Sequence, residues 1–166
     1  MRLFIAINFD NGILDAIGDL QAELKNCGVD GHFTKRENLH LTLAFIGEYP
    51  DPDDVLDVIR SIPFEPVTLQ FDGLQHFRDM YFARFQDNPE LNRYVSRLRR
   101  ALADAGIPFD RKKFMPHITL IRKAFIRGNR PAELPESLSC DTITVEHASL
   151  MRSDRGKQGM IYTEIY

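Results

Sequence analysis

The pattern His-x-Thr-Leu occurs twice in this chain, as HLTL at residues 40–43 and as HITL at residues 117–120. Each copy follows the same succession of predicted elements, in which an amphipathic helix ends at a glycine and a short extended piece precedes the motif. The interval from glycine to histidine is twelve residues in the first copy (40 − 28) and eleven in the second (117 − 106). The repeated unit is therefore larger than four residues, and the fold has to accommodate two such units.

Capping signals support both helices. Asp10 is a suitable N-cap for a helix whose apolar side chains recur at helical spacing up to Gly28. Asn88 is the equivalent N-cap of the second helix, with Pro89 at its first position and Gly106 at its end. The sequence thus predicts two helices of similar length in corresponding places.

Most of the remaining chain has the composition and alternation of β-strands. An acidic segment at residues 50–62 predicts one further helix. Strands are predicted at residues 2–9, 67–77, 80–86, 142–153 and 160–166, with short extended pieces at 32–35 and 107–110.

The two motifs are predicted to be strands, in which successive side chains point to opposite faces. His40 and Thr42 would then share one face, while Leu41 and Leu43 share the other and enter the core. Phe45 is expected in the core with these leucines. The same alternation applies to the second motif, so two such strands side by side would bring two imidazoles and two hydroxyls to one small volume.

Two converging histidines can act as an acid–base pair, since imidazole titrates near neutral pH. A neutral ring can take a proton from water while a charged ring gives one to a leaving oxygen, and threonine hydroxyls can donate to negatively charged oxygens. A phosphodiester suits this arrangement, which requires no metal. A zinc site is a weaker alternative because no carboxylate or cysteine accompanies the histidines at a ligand-like spacing.

The bulk composition limits the other possibilities. A chain of 166 residues indicates one domain, or two small lobes that share a core. The net charge of −3 excludes a strongly basic surface coat but not a local basic groove. No apolar run approaches the length of a membrane span. The two cysteines, Cys27 and Cys140, have neither metal-type spacing nor a disulfide framework, so we expect a cytoplasmic protein with free thiols.

The segments ENLHLTLAFIG and MPHITLIR, with the N-terminal RLFIAI, resemble the two-histidine (2H) phosphoesterase superfamily. More narrowly, they resemble the bacterial and archaeal RNA 2′,3′-cyclic phosphodiesterases, also called 2′-5′ RNA ligases. The resemblance runs from Arg2 to the last strand. It implies an α+β fold with two lobes related by a pseudo-twofold axis. Each lobe would be an antiparallel-rich sheet with helices on its outer face, and the central cleft would carry both motifs. Residues 1–166 would form a single domain with two internally repeated lobes.

The resemblance also implies a reaction and roles for residues. The reaction is hydrolysis of a 2′,3′-cyclic phosphate at an RNA end to a 2′-phosphate, with the reverse 2′-5′ ligation as a second possibility. His117 would be the general base that activates water, and His40 the general acid that protonates the leaving 3′ oxygen. Thr42 and Thr119 would bind phosphate oxygens. The partner would be an RNA end, and we expect no cofactor, no metal, no protein partner and a monomeric protein.

Four further residues are candidates for substrate binding. Arg122 follows the second motif, but strict alternation places it opposite Thr119 unless the strand bulges or ends. Lys35 precedes the first motif and could line a groove. Phe9 and Phe114 are candidates for stacking on a base, although such a phenylalanine more often belongs to the core.

Two alternative functions remain open at this point. The same chemistry could act on small cyclic nucleotides, on ADP-ribose cyclic phosphate or on 2′-5′ oligoadenylate, because the motifs would contact only the phosphate and the ribose. Alternatively, the chain could be an RNA-binding module without turnover, although binding alone needs no acid–base pair.

Overall fold

The computed structural model describes residues 1–128, 134–135, 137–138 and 140–166. Within these residues the chain forms three α-helices and nine β-strands, which make up two antiparallel sheets. The α+β fold class expected from the sequence is confirmed. The helices are α1 (Asn11–Asn26), α2 (Pro52–Ser61) and α3 (Pro89–Asp104). The strands are β1 (Arg2–Ile7), β2 (Val29–Phe33), β3 (Leu41–Glu48), β4 (Val67–Phe77), β5 (Met80–Phe85), β6 (His117–Ile126), β7 (Thr142–Val145), β8 (Ser149–Gly156) and β9 (Gly159–Glu164).

Each motif lies in a different sheet. The first sheet has the strand order β3-β1-β8-β9, so the first motif runs along its edge. The second sheet has the order β2-β6-β5-β4-β7, so the second motif lies one strand in from the edge. β3 and β6 contact each other where the two sheets meet, and the cleft between the sheets therefore contains both motifs.

Both capped helices form as the sequence predicts. The carboxylate of Asp10 and the side-chain carbonyl of Asn88 each accept a hydrogen bond from the backbone N–H three residues on, at 2.9 and 3.0 Å. Gly28 and Gly106 follow the two helices with φ values of 95° and 74°, which a glycine adopts without strain. Among the described residues, no helix is both long and apolar enough to span a membrane.

The two helices cross between the repeated units. α1 follows β1 along the chain but packs on β2 of the second sheet. α3 follows β5 but packs on β3 of the first sheet, together with α2, which contacts β8. The helix of each unit therefore lies against the sheet that holds the motif of the other unit.

One hydrophobic cluster runs through both halves. It contains buried side chains of all three helices and of strands in both sheets, such as Leu20, Leu98, Leu41 and Ile118. Such a shared core is what a single domain with two lobes requires, and the organisation of residues 1–166 as one domain stays a prediction that this core supports.

Two short predicted strands differ from the structure. The piece expected at residues 32–35 is β2, which begins earlier, at Val29, and ends at Phe33. The prediction of a strand at residues 107–110 is wrong. The N–H of Ile107 donates to Leu102 of α3 and the N–H of Asp110 donates to Phe45 of β3. The two ends of this segment are thus bonded to different elements, so no ladder forms.

A matched pair of glycine substitutions tests how tightly β2 packs on the strand of the second motif. Gly31 has a φ of 147°, and a Cβ there would lie 2.8 Å from the Cα of Ala124 and 2.9 Å from the carbonyl oxygens of Arg122 and Lys123. We expect Gly31→Ala to lower the free energy of unfolding by more than about 1 kcal/mol. Gly18→Ala, in the interior of α1 with open space around it, should raise it by about 0.5–1 kcal/mol. Urea unfolding measures both, and equal stability of the two variants would contradict this packing.

Candidate active site

Both motifs present their histidine and threonine on one face, as strand alternation predicts. His40 and Thr42 are partly exposed, whereas Leu41 and Leu43 between and beyond them are fully buried. In β6, His117 and Thr119 are likewise partly exposed while the alternate positions, Ile118 and Leu120, are fully buried. The aliphatic side chains anchor each strand in the core and leave the polar pair facing the cleft.

The structure brings the two motifs together crosswise. A small pocket of about 180 Å³ is lined by His40 of the first motif and Thr119 of the second. A larger cavity of about 680 Å³ is lined by Thr42 of the first motif and His117 of the second. Each cavity therefore combines the imidazole of one strand with the hydroxyl of the other.

Hydrogen bonds fix the tautomer of both rings in the same way. Nδ1 of His40 donates to the carbonyl of Asn38 at 2.7 Å, and Nδ1 of His117 donates to the carbonyl of Met115, also at 2.7 Å. A carbonyl can only accept, so the proton of a neutral ring lies on Nδ1. Nε2 of each neutral ring is then the atom that can take up a proton, and in His40 it accepts a hydrogen bond from the hydroxyl of Thr42.

The two imidazoles differ in their surroundings. His40 packs against the rings of Phe4 and Tyr162, at centroid distances of 5.0 and 5.3 Å, and its Nε2 lies 3.0 Å from Oγ1 of Thr42. Among the residues that the structure describes, His117 has one aromatic ring contact, with Phe82 at 4.8 Å. His40 is thus enclosed and His117 is the more open of the two.

Burial lowers the pKa of His40 below its ordinary value of 6.5. The hydrogen bond to the carbonyl of Asn38 opposes this shift, whereas the charges of Arg122 and His117 add to it and keep the pKa low. In the ligand-free protein the neutral form of His40 is therefore favoured.

A β-bulge in β6 directs Arg122 into the cleft. Opposite β5, Phe82 pairs with Thr119 and Tyr81 pairs with Ile121, so Leu120 is an extra residue in the ladder. Leu120 and Ile121 are consecutive and both fully buried. Alternation restarts after them, and Arg122 lines the small pocket on the same side as Thr119.

A bulge at the corresponding place in β3 corrects the prediction for Phe45. Ala6 of β1 pairs with Thr42 and the next residue back, Ile5, pairs with Ala44, so Leu43 is the extra residue. Phe45 consequently lies on the side of Thr42 and lines the larger cavity, not the core beside the leucines. Phe45 and Arg122 are therefore equivalent positions of the two motifs, five residues after their histidines (45 − 40 and 122 − 117).

The carbonyl groups of the two bulged leucines are held by the crossing helices. Arg99 of α3 donates from Nη2 to the carbonyl of Leu43 at 3.1 Å, and Nη1 donates to Lys112 at 2.6 Å. Gln21 of α1 donates from Nε2 to the carbonyl of Leu120 at 3.0 Å. Gln21 and Arg99 each precede the glycine that ends their helix by seven residues (28 − 21 and 106 − 99), so the repeat extends to these contacts.

Sequence reasoning missed Gln21 and Arg99, although their equal distance from the helix-ending glycines is a signal that a wider comparison of the two units would have found.

The β8–β9 hairpin closes the small pocket. Lys35 lines this pocket, and its Nζ donates to the backbone carbonyl of Gln158 at 2.9 Å. Asn38, which was not predicted, donates from its side chain to the carbonyl of Met160 at 3.0 Å while its own carbonyl holds His40. The hairpin and the orientation of His40 are therefore linked through one residue.

The two candidate stacking residues end up in different places. Phe114 lines the larger cavity beside His117, and the guanidinium of Arg99 lies 6.0 Å from its ring. Phe9 is partly buried against the main core and lines neither cavity.

Comparison with known proteins gives a consistent result. The family model of LigT-like phosphoesterases matches residues 7–81 and 85–162. A protein of Methanothermobacter thermautotrophicus named RNA 2′,3′-cyclic phosphodiesterase is 28% identical, over 99% of this chain and 96% of its own. A protein of Thermotoga maritima with the same name is 25% identical, over 100% of this chain and 94% of its own.

Solved structures share the fold over the full length. A Thermus thermophilus protein is 27% identical with a TM-score of 0.78, covering 100% of this chain and 96% of its own. Escherichia coli LigT in its apo form is 25% identical with a TM-score of 0.81, covering 99% of this chain and 94% of its own. LigT has also been solved in complex with 3′-AMP and with phosphate.

The low pKa of His40 gives a testable pH dependence. In an NMR titration, the His40 resonance, identified by its loss in His40→Asn, should change with a midpoint below 6.5, because burial favours the neutral ring. As the pH falls from 7.5, His40 should become protonated at a lower pH than an exposed histidine does. Removing the positive charge with Arg122→Gln should move the midpoint upward, as should inorganic phosphate. A midpoint at or above 6.5 in the ligand-free protein would contradict the enclosed position of this ring.

Proposed function

Because this chain belongs to the LigT-like phosphoesterase family, we propose that it hydrolyses the 2′,3′-cyclic phosphate ends of RNA to 2′-phosphates without a metal ion. The observation that carries this proposal is the pair of imidazoles. In each of them Nδ1 is bonded to a backbone carbonyl, so Nε2 is the nitrogen that can transfer a proton. The relatives named RNA 2′,3′-cyclic phosphodiesterase support the choice of substrate.

In this mechanism the cyclic phosphate lies between the two histidines. Nε2 of His117 takes a proton from water, and the water oxygen forms a new bond to phosphorus. The bond from phosphorus to O3′ breaks, and Nε2 of His40 gives its proton to that oxygen. The product is a 2′-phosphate. His117 then releases its proton to solvent and His40 takes one from solvent, which restores both rings.

The low pKa of His40 constrains this division of roles. A general acid has to be protonated, yet burial favours the neutral ring in the ligand-free protein. A bound phosphate anion favours the charged ring, so we assign the protonation of His40 to the substrate complex. The opposite assignment, with His40 as the base, would use the neutral ring directly, and it also describes the reverse ligation.

The remaining polar groups are proposed to bind the phosphate oxygens. Oγ1 of Thr42 lies 3.0 Å from Nε2 of His40, and Thr119 lines the same small pocket as that ring. Their hydroxyls would stabilise the charge that develops on phosphorus oxygens. Arg122, brought to this pocket by the bulge, would contribute a charge-assisted hydrogen bond. Lys35 would add positive charge while it holds the hairpin.

Other properties expected from the sequence stay predictions. The chain would act as a monomer in the cytoplasm, with an RNA end as its partner, and would carry out 2′-5′ ligation only as the reverse reaction.

The proposal predicts a specific reaction product. In the presence of EDTA, the protein should convert an oligoribonucleotide with a 2′,3′-cyclic phosphate end to a 2′-phosphate, with a bell-shaped dependence of rate on pH. His40→Ala and His117→Ala should each lower kcat by roughly 10²–10⁴-fold, since each removes one proton transfer. His147→Ala, which removes an exposed histidine outside both cavities, should leave the rate unchanged. Product mapping by chromatography against 2′- and 3′-phosphate standards measures the outcome.

Three results would contradict the proposal in different ways. A 3′-phosphate product would keep the histidine pair but exclude the proposed regiochemistry. Turnover of small cyclic nucleotides or of 2′-5′ oligoadenylate without turnover of RNA ends would favour the other substrates. Salt-dependent RNA binding with no product would indicate a binding module.

A further inference from the structure

The larger cavity differs from the small pocket in having many aromatic side chains. We call it the aromatic groove, after the five phenylalanines that line it beside Thr42 and His117, namely Phe45, Phe77, Phe82, Phe85 and Phe114. At its rim, the side chains of Phe77 and Met115 are 50% and 49% exposed. Exposed apolar side chains grouped at one cavity mark a surface that binds something.

The same groove carries a cluster of cations. Arg84, Lys112 and Lys113 line it, in a chain whose net charge is −3. Its two carboxylates already accept hydrogen bonds, Asp110 from the backbone of Lys112 and Asp87 from another side chain. Among the described residues, neither lysine takes part in an ion pair. Both are exposed and are available to an anionic ligand.

Arg99 holds this cationic loop in place. Its guanidinium joins the carbonyl of Lys112 to the bulged strand at Leu43 and lies 6.0 Å from the ring of Phe114. The position of the loop relative to His117 is therefore set by the same contact that fixes the first motif.

Aromatic faces combined with lysines and arginines are the typical surface for single-stranded nucleic acid. The bases stack on the rings and the backbone phosphates lie against the cations. The small pocket cannot take a strand, since it measures about 180 Å³ and is bounded by the β8–β9 hairpin. The aromatic groove measures about 680 Å³ and opens directly from Thr42 and His117.

We propose that the aromatic groove binds the RNA strand on the 5′ side of the cyclic phosphate, as an unpaired segment longer than the terminal nucleotide. This inference rests on the proposed function, because it places the reacting phosphate at the two histidines. It adds that the protein selects an oligonucleotide over a mononucleotide. Phe77 contacts bases upstream of the end, and Lys112 and Lys113 contact their phosphates.

Substrate length provides the test. Oligoadenylates of one, two, four and six nucleotides, each with a 2′,3′-cyclic phosphate end, should show kcat/KM rising at least tenfold from the mononucleotide to the tetranucleotide. The slope of log(kcat/KM) against log(salt) should become more negative with length, by roughly 0.7 for each additional phosphate that the groove neutralises. A mononucleotide hydrolysed as efficiently as the tetranucleotide would overturn the inference.

Paired variants separate the groove from general charge. Lys112→Ala/Lys113→Ala should lower kcat/KM for the tetranucleotide by more than about tenfold and should remove most of the length dependence. Arg93→Ala/Arg97→Ala makes the same change in charge on the exposed face of α3, outside both cavities, and should leave the length dependence intact. An equal loss in both double variants would mean that non-specific attraction, not the groove, binds the strand.

The aromatic contact has its own pair of variants. Phe77→Leu keeps an apolar side chain but removes the ring, and should lower kcat/KM for the tetranucleotide by about fivefold or more. Phe77→Tyr keeps the ring, and its kcat/KM for the tetranucleotide should equal that of the wild-type protein. Since Phe77 is half exposed, both variants should fold, which thermal unfolding checks. Equal activity of the two variants on the tetranucleotide would exclude stacking at this position.

Binding measured without turnover keeps this inference separate from the proposed chemistry. Fluorescence anisotropy with a labelled tetranucleotide that ends in a 2′-phosphate needs no reaction. Wild-type protein should bind it more tightly than Lys112→Ala/Lys113→Ala, by about tenfold. If binding follows this pattern but no cyclic end is hydrolysed, the proposed function fails and the groove stands. If hydrolysis occurs but binding is unaffected by the lysines, the groove fails and the proposed function stands.

Discussion

The candidate active site depends on two hydrogen bonds that helices donate to bulged strands. The leucine at each bulge has its carbonyl bonded to a side chain of a helix, and a buried carbonyl without any hydrogen-bond partner would cost about 1–3 kcal/mol. The carbonyl of Leu120 already accepts a hydrogen bond from the backbone N–H of Thr34. The helix donors are Arg99, which bonds the carbonyl of Leu43, and Gln21, which adds a second hydrogen bond to that of Leu120. Both donors come from the helix of the opposite repeated unit, because the helices cross between the sheets. The contacts that stabilise each motif are therefore also contacts that join the two halves, and the geometry of the cleft follows from them.

The two motifs have the same backbone arrangement but differ in one side chain that each places in the cleft. The imidazoles, their backbone acceptors and the threonines are equivalent on both sides, which suits a reaction that passes a proton in at one side and out at the other. The residues that each bulge turns into the cleft are not equivalent, because Arg122 faces the small pocket and Phe45 faces the aromatic groove. We infer that the equivalent residues carry the proton transfers. The differing residues decide which side holds the phosphate charge and which side holds the strand.

Period-2 alternation was enough to predict the faces of His40 and Thr42, because the side chains between them are aliphatic and buried. It failed for Phe45, and it left Arg122 undecided, because one extra residue in a strand reverses every later side chain without changing the local sequence pattern. The packing of each helix on the sheet of the other unit could not be predicted either. Amphipathic periodicity shows that a helix has an apolar face but not which sheet covers that face. The closing of the small pocket by the β8–β9 hairpin depends on backbone carbonyls, which no side-chain pattern reports.

If both motifs act on a single phosphate, a crystal structure of the protein with adenosine 2′-phosphate should show that phosphate between them. We expect its oxygens within hydrogen-bond distance of Nε2 of His40 and Nε2 of His117, with the hydroxyls of Thr42 and Thr119 donating to the same group. The base should lie on the side of the aromatic groove. A phosphate bound to only one of the two histidines, or outside the cleft between β3 and β6, would show that the motifs do not share a substrate.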